Sequence, residues 1–349
     1  MTRQTWTAAL SALLFVVLAA VIALAPVPYV TWAPGNTYDL LGQVNGQDAI
    51  GISGTPTYPS PGQLRMTTIS VTSPDSNLSL PEVLISYWMQ DREVLPRAAV
   101  YRPGASANDV NDQESELMAQ SQTSAVVAAL RAAQLKVTEL PMVYSVQTAG
   151  PAASVLLPGD LISAVDGVAV TTQQEVNQAV QNRHVGQKVM FTISRDRVTM
   201  QKTVTTRASS TTPDVPDVGV SLATGYTYDP KVTFAVDPAV GGSSAGLMFA
   251  LAIYDRLTPG DLAAGRVVAG TGTMSASGKV GQIGGVAEKL AAAERDKATV
   301  FLLPKLNCAD LGTVPAGIRL VAVSGLSDAI GSLQALADPS AADSVPGCS

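Results

Sequence analysis

The sequence predicts an α+β fold, α/β-like toward its C-terminus, carried behind one N-terminal transmembrane helix. Three observations predict it. Residues 5–25 form an uncharged apolar run. From residue 231 to 337, strand-like and helix-like segments alternate, the pattern of a sheet covered by helices. Between them, residues 141–206 have their own texture: several strands around one short helix, followed by a polar, proline-containing stretch at 209–217.

The elements follow in order. No Asp, Glu, Lys or Arg occurs from residue 5 to residue 38. About 20 helical residues span about 30 Å, the thickness of the hydrocarbon layer. Arg3 precedes the run and no Lys or Arg follows before Arg65. By the positive-inside rule the N-terminus is then cytoplasmic and the rest extracytoplasmic. A cleavable signal peptide is the alternative, with Ala23-Leu24-Ala25 as its small-residue site, but that bond runs into Pro26.

Residues 36–62 read as loops and short strands, and Gln63–Val71 as a strand rich in Thr, Ile and Val. Residues 79–90 open as a helix, with Ser79 as cap and Pro81 in the first turn. Residues 109–133 place apolar and small residues at Leu117, Met118, Ser121, Ala125, Val126, Ala129 and Leu130, the spacing of a long amphipathic helix. A helix is predicted over 173–182. Beyond 217 come the strand "VTFAV", a Gly/Ser turn, a helix to Arg256, the strand "GRVVAGT", the turn "SASGKVGQIGG", a helix from Val286, two strands and a last helix. Residues 338–349 read as a disordered tail.

With 46% hydrophobic and 14% charged residues, the chain can bury sizeable cores. A net charge of -6 excludes a basic face for nucleic acid. One His and two Cys, without an H-E-x-x-H, predict no metal site and no cofactor. Cys308 and Cys348 are either a disulfide, which an extracytoplasmic location permits, or two thiols.

A Ser-His-Asp triad needs a histidine, and His184 lies in a turn of another segment, where it reads as an exposed loop residue. The general base for a serine must then be a lysine or a carboxylate. Lys289 falls near the start of the helix after Gly284-Gly285, where burial and the helix dipole would lower its pKa. An ordinary solvated helix lysine is the other reading. Glu288 is expected on a different face, because adjacent helical residues diverge. In "GGSSAG", residues 241–246, the glycines let backbone N–H groups approach a substrate carbonyl. A serine there is also a plain helix cap.

Taken together, "GGSSAGLMFALAIYD" and "VVAGTGTMSASGKVGQIGGVAEKLAAA" resemble the catalytic region of Lon-type serine–lysine proteases. That family has its nucleophile in P-S-A-G and its lysine four residues after G-G. The resemblance implies Ser244 as nucleophile, Lys289 as base, Thr271 as the residue that positions the lysine, and backbone at Gly242 as part of an oxyanion hole. Two departures stand out. Ser243 replaces the usual proline, and Gly241 stands where energy-dependent Lon proteases have an acid. The turn is more similar to that of membrane-anchored, PDZ-containing Lon-like proteins of bacteria. No G-x-x-x-x-G-K-[ST] occurs, so no ATPase is expected.

"GPAAS", "LLPGDLISAVDGVAV" and the following helix resemble a PDZ domain, which takes up a peptide as an added strand. Val176 and Val180 are its weak groove candidates. Residues 63–71 and the M-x-x-S helix resemble the first half of the Lon proteolytic domain, which implies that the PDZ module is inserted into it. The expected organisation is a transmembrane helix (5–25), a first proteolytic part (36–137), a PDZ domain (138–208), a second, catalytic part (214–337) and the tail (338–349). The implied function is an ATP-independent membrane-anchored serine endopeptidase with polypeptide substrates, engaged through their C-terminal tails, and a homo-oligomeric state. The alternative is a catalytically weak or inactive PDZ scaffold.

Overall fold

A computed structural model describes residues 3–44, 46–209 and 212–348. The chain forms two compact units. Met1–Leu135 with Pro230–Ser349 make one, and Lys136–Asp229, between them in sequence, make the other.

The first unit begins with helix α1 (Arg3–Leu24), none of whose residues is buried. It is long and apolar enough to cross a membrane. Strands β1 (Tyr29–Asp39) and β2 (Gln63–Val71) pair antiparallel. Helix α2 (Leu80–Trp88) follows, its start held by the Glu82 carboxylate, which accepts from both the N–H and the hydroxyl of Ser79. Strand β3 (Glu93–Pro96) lies beside β1. Helix α3 (Ala107–Ala132) is capped by Ser106, whose hydroxyl accepts from the Asp109 N–H while the Asp109 carboxylate accepts from the Ser106 N–H. Met118, Ser121, Ala125, Val126, Ala129 and Leu130 are buried, as the spacing predicts, whereas Leu117 is only half-buried.

The second unit holds β4 (Thr138–Val146), β5 (Leu161–Val165), helix α4 (Gln173–Gln181), β6 (Lys188–Arg195), β7 (Val198–Thr205) and β8 (Val220–Thr227). These strands form one antiparallel sheet in the order β7-β6-β5-β4-β8. Phe191, Ile193, Ile162 and Val143 fill its core together with Val176 and Val180 of α4. Asp160, only 1% exposed, receives two hydrogen bonds from the Arg195 guanidinium, at 2.7 and 2.8 Å. A buried carboxylate needs that fork.

Here the structure corrects a boundary. The sequence reading ends this domain at 208 and assigns residues from 214 to the catalytic part, yet β8 pairs with β4 along its whole length. Residues 207–208 and 216–217 also pair, so much of the segment read as a linker closes a hairpin. Its Ser210 and Thr211 lie outside the described residues. Polarity and proline mark a turn and a domain boundary alike.

The chain then returns to the first unit with α5 (Gly246–Leu257), β9 (Val267–Gly270), α6 (Val286–Arg295), β10 (Val300–Pro304), β11 (Arg319–Val323) and α7 (Leu326–Ala337). The sheet order is β11-β10-β9-β2-β1-β3. β2, β9, β10 and β11 run parallel, and α6 is the helical crossover from β9 to β10, while α7 follows the last strand. Ala269, Phe301 and Leu303 pack with Val286, Leu290 and Ala293 of α6. The alternate residues meet α5, as a Cβ at Gly270 would meet Met248. Eight consecutive α5 residues, Gly246 to Ile253, are buried. α5 is thus the central helix of this unit.

The tail is a second correction. Cys308 and Cys348 form a disulfide, Val345 is 5% exposed, the Ala322 N–H donates to the Pro346 carbonyl, and Arg319 donates to the carbonyl of Val345. Residues 338–348 are therefore fastened along β11; Ser349 lies outside the described residues. The disulfide is one of the two readings the cysteines allow, and a polar, alanine-rich composition does not by itself show that such a tether orders the segment.

Candidate active site

The glycine-serine turn is held at three points. The Gly272 N–H donates to the Ser244 carbonyl at 2.8 Å, and the Leu247 N–H donates to the Gly272 carbonyl at 3.0 Å. These two bonds fix the start of α5 beside the residues that leave the carboxyl end of β9. From α3, the Ser121 hydroxyl donates to the Ser243 carbonyl at 3.0 Å. The Gly242 N–H donates to the Glu114 carbonyl at 2.9 Å.

The close approach explains the small residues. A Cβ at Gly246 would stand 2.8 Å from the Met274 Cβ, 2.9 Å from the Met274 nitrogen and 2.9 Å from the Ser121 hydroxyl. Gly242 has φ 90°, a conformation that costs any residue with a Cβ, and a Cβ there would stand 2.9 Å from the Glu114 carboxylate. Burial raises the Glu114 pKa.

Ser244 is half-buried, and its hydroxyl makes no hydrogen bond among the described residues. Thr271 is fully buried. Its N–H donates to the Leu302 carbonyl, and its hydroxyl donates to the Ser244 carbonyl at 3.1 Å. The structure thus joins Thr271 to the backbone of Ser244, whereas the sequence reading had it act on the lysine.

Lys289 lies in the first turn of α6, its N–H donating to the Gly285 carbonyl at 3.1 Å. Since α6 is the crossover from β9 to β10, it begins at the carboxyl end of β9, the same end at which the serine turn is pinned. Its side chain is 3% exposed, and no ion pair or hydrogen bond to its ammonium occurs among the described residues. Burial pushes its pKa from 10.5 down to about 8, against the opposing pull of Glu288. The solvated-lysine reading is excluded by this burial. Ser244 and Lys289 are not hydrogen-bonded to each other in this conformation.

Glu288 is 2% exposed, and burial raises its pKa, with Glu93 and Asp91 adding to the rise. The expectation of a carboxylate diverging from Lys289 did not anticipate this: both residues are enclosed, because the whole first turn of α6 is packed over. Just before it, buried Asn307 receives the Ile283 N–H and donates to the Ile283 carbonyl, which holds the approach to Gly284-Gly285. Sequence reasoning missed Glu114 and Asn307. Each lies more than a dozen residues from the motif it supports, so no local pattern marks either.

A cleft of about 140 Å³ beside Ser243 is lined by Leu117, Gln120, Ser124, Thr273 and Met274. In the second unit, a cleft of about 300 Å³ lies between the start of α4 and strands β4 and β8, at Leu140, Pro141, Thr172, Gln173 and Thr224. Val176 and Val180 are 1% and 6% exposed. They pack the core and have no surface to offer a peptide, so their groove assignment is withdrawn. His184 is exposed in its turn. Among the described residues no cluster of His, Cys, Asp and Glu is arranged to hold a metal ion.

Two stretches of the chain, taken separately, have counterparts among known families. Residues 235–331 match the Lon protease (S16) C-terminal proteolytic domain, and residues 110–206 match the PDZ domain. The second match begins on α3, in the first unit, and stops short of β8. The chain is 45% identical over 78 residues to a Lon protease of Roseiflexus castenholzii and 40% identical over 82 residues to one of Clostridioides difficile. Each alignment covers 22% of this chain, and the chain spans about a tenth of the length of these relatives. Solved PDZ domains of SdrC-like proteins from Listeria monocytogenes and Listeria innocua are 28% and 25% identical. They cover 24% of this chain and 86% and 92% of their own lengths, with a TM-score of 0.22 in each case.

Proposed function

We propose that this chain is a membrane-anchored serine endopeptidase that works without ATP, with Ser244 as nucleophile and Lys289 as general base. The observation that carries the reading is the enclosed, unpaired Lys289 at the end of β9 to which the Ser244 turn is pinned. A lysine desolvated to a pKa of about 8 is partly neutral at physiological pH and can accept a proton.

Lys289 Nζ takes the proton as Ser244 Oγ bonds to the scissile carbonyl carbon. The resulting ammonium gives that proton to the leaving amine as the C–N bond breaks. Water then attacks the acyl-enzyme ester, losing a proton to Lys289, which returns it to Ser244 Oγ as the ester C–O bond breaks and the acid is released. The Ser244 N–H makes no hydrogen bond among the described residues and is the nearer oxyanion donor. The Gly242 N–H joins it only on leaving the Glu114 carbonyl. Thr271 holds the nucleophile's backbone to the sheet.

The PDZ-matched unit recruits polypeptide segments, C-terminal tails among them, at the cleft by α4. Helix α1 anchors the chain in the cell membrane, with both units on the extracytoplasmic side, and the proteolytic unit works in a homo-oligomer. No ATPase motif accompanies it, which limits substrates to flexible chains. Degradation of casein by the purified chain, abolished in Ser244→Ala, is the expected result. Equal degradation by Ser244→Ala removes the reading.

The engaged Gly242 N–H and the absence of a Ser244–Lys289 hydrogen bond favour a second reading, a peptide-binding scaffold of low or no activity. Retained peptide binding with no turnover at any pH would select it.

A further inference from the structure

We infer that helix α2 lies in the membrane interface, so that its exposed apolar face, centred on Trp88, is a second contact with the bilayer beside α1. The inference rests on the reading of α1 as a membrane anchor. It starts from exposure. Leu84, Ile85, Tyr87, Trp88 and Met89 are exposed by 43%, 59%, 72%, 76% and 39%. On the opposite side of the same helix, Val83 and Ser86 are buried against the protein. Five large apolar side chains on nine helical residues and a cap form an uncovered patch of the kind that marks an interaction surface.

The local backbone fixes where this patch lies. Residues Pro26–Val27, directly after α1, pair antiparallel with Leu78–Ser79, directly before α2. One strand spacing of about 5 Å therefore separates the end of the apolar helix from the start of α2. The two helices also touch each other. A helix of 22 residues is about 33 Å long, so one end of α1 reaches the headgroup level when the other does. Side chains of α2 then stand at the depth where interfacial helices insert, about 5–10 Å into the headgroup and acyl boundary.

The composition suits a bilayer. From Leu84 to Met89 there is no charge, and Tyr and Trp are the aromatic residues favoured at the interface. The single carboxylate of α2, Glu82, is engaged at the helix start by Ser79. The charged residues Asp91, Arg92 and Glu93 follow the patch and mark its aqueous rim.

The test uses the full chain in phosphatidylcholine vesicles, with and without lipids brominated near the headgroup. The chain has three tryptophans, Trp6, Trp32 and Trp88. W6F/W32F leaves Trp88 as reporter, and W32F/W88F leaves Trp6. The expected result is that both reporters lose most of their emission to the brominated lipid. Quenching of Trp6 without quenching of Trp88 overturns the inference while leaving the anchor in place, and points to a second copy or another protein as the cover of α2. Quenching of neither overturns the anchor and the inference with it. If W32F disturbs folding, the quenched fraction lost between the wild-type chain and W88F gives the same readout.

Discussion

On the proposed mechanism, Lys289 makes activity and stability both rise with pH, over different ranges. With a pKa of about 8, about a tenth of its side chains are neutral at pH 7 and half at pH 8. Turnover of a fluorogenic peptide at saturating concentration should rise about fivefold over that unit and level off above about pH 9. The folded pKa lies below the ordinary lysine value of 10.5, so between those values the unfolded chain binds more protons. Stability associated with this residue is therefore complete above 10.5 and is lost as pH falls toward 8. The loss amounts to about 3 kcal/mol, at 1.36 kcal/mol per unit. Lys289→Met removes the enclosed ammonium with similar volume. It should abolish turnover and, at pH 7, raise unfolding stability by up to about 3 kcal/mol, an advantage that shrinks at pH 10. Urea denaturation at the two pH values, with the activity profile, reads both. A flat activity profile from pH 6.5 to 9, or a variant less stable at pH 7 than at pH 10 relative to wild type, refutes the argument.

Other perturbations have defined outcomes. Glu288 pulls the Lys289 pKa upward, so Glu288→Gln should move the alkaline activity limb to lower pH, and a shift to higher pH counts against that coupling. Replacing Cys308 and Cys348 by Ser opens a loop with a sequence separation of 40, and should cost about 4 kcal/mol in denaturant unfolding. Gly246→Ala places a methyl group against the Met274 backbone and the Ser121 hydroxyl. It should destabilise the first unit by about 1–3 kcal/mol and reduce serine labelling. Arg195→Ala leaves the buried Asp160 unpaired and should cost about 3–5 kcal/mol, visible as earlier melting of residues 136–229 in hydrogen exchange.

What could be read in the sequence is what the backbone pattern writes locally. The apolar run of α1, the spacing of α3 and the strand–helix alternation from β9 to α7 all carry their period in adjacent residues. The turn at 241–246 carries its small residues for a reason visible in the structure, the approach of α3 and of Met274. What stayed hidden depends on pairing over distance. β8 joins β4 across some 80 residues, and nothing in "VSLATGYT" says which sheet it completes. The hydrogen bonds that lay the tail along β11 are likewise hidden, whereas its disulfide is one of two readings the cysteines leave open. Val176 and Val180 show the limit on the site side: an apolar helix position suits a core and a groove equally, and only burial separates them. Glu114 supports the serine turn from another helix, and its place is set by tertiary packing alone.

The most direct measurement is labelling of the intact chain with a fluorophosphonate, followed by peptide mass spectrometry. A single adduct on Ser244, absent in Ser244→Ala and in Lys289→Met, with a labelling rate that rises through pH 8, is the predicted result. An adduct on another serine, or undiminished labelling of Ser244 when Lys289 is methionine, contradicts the paired roles assigned to these two residues.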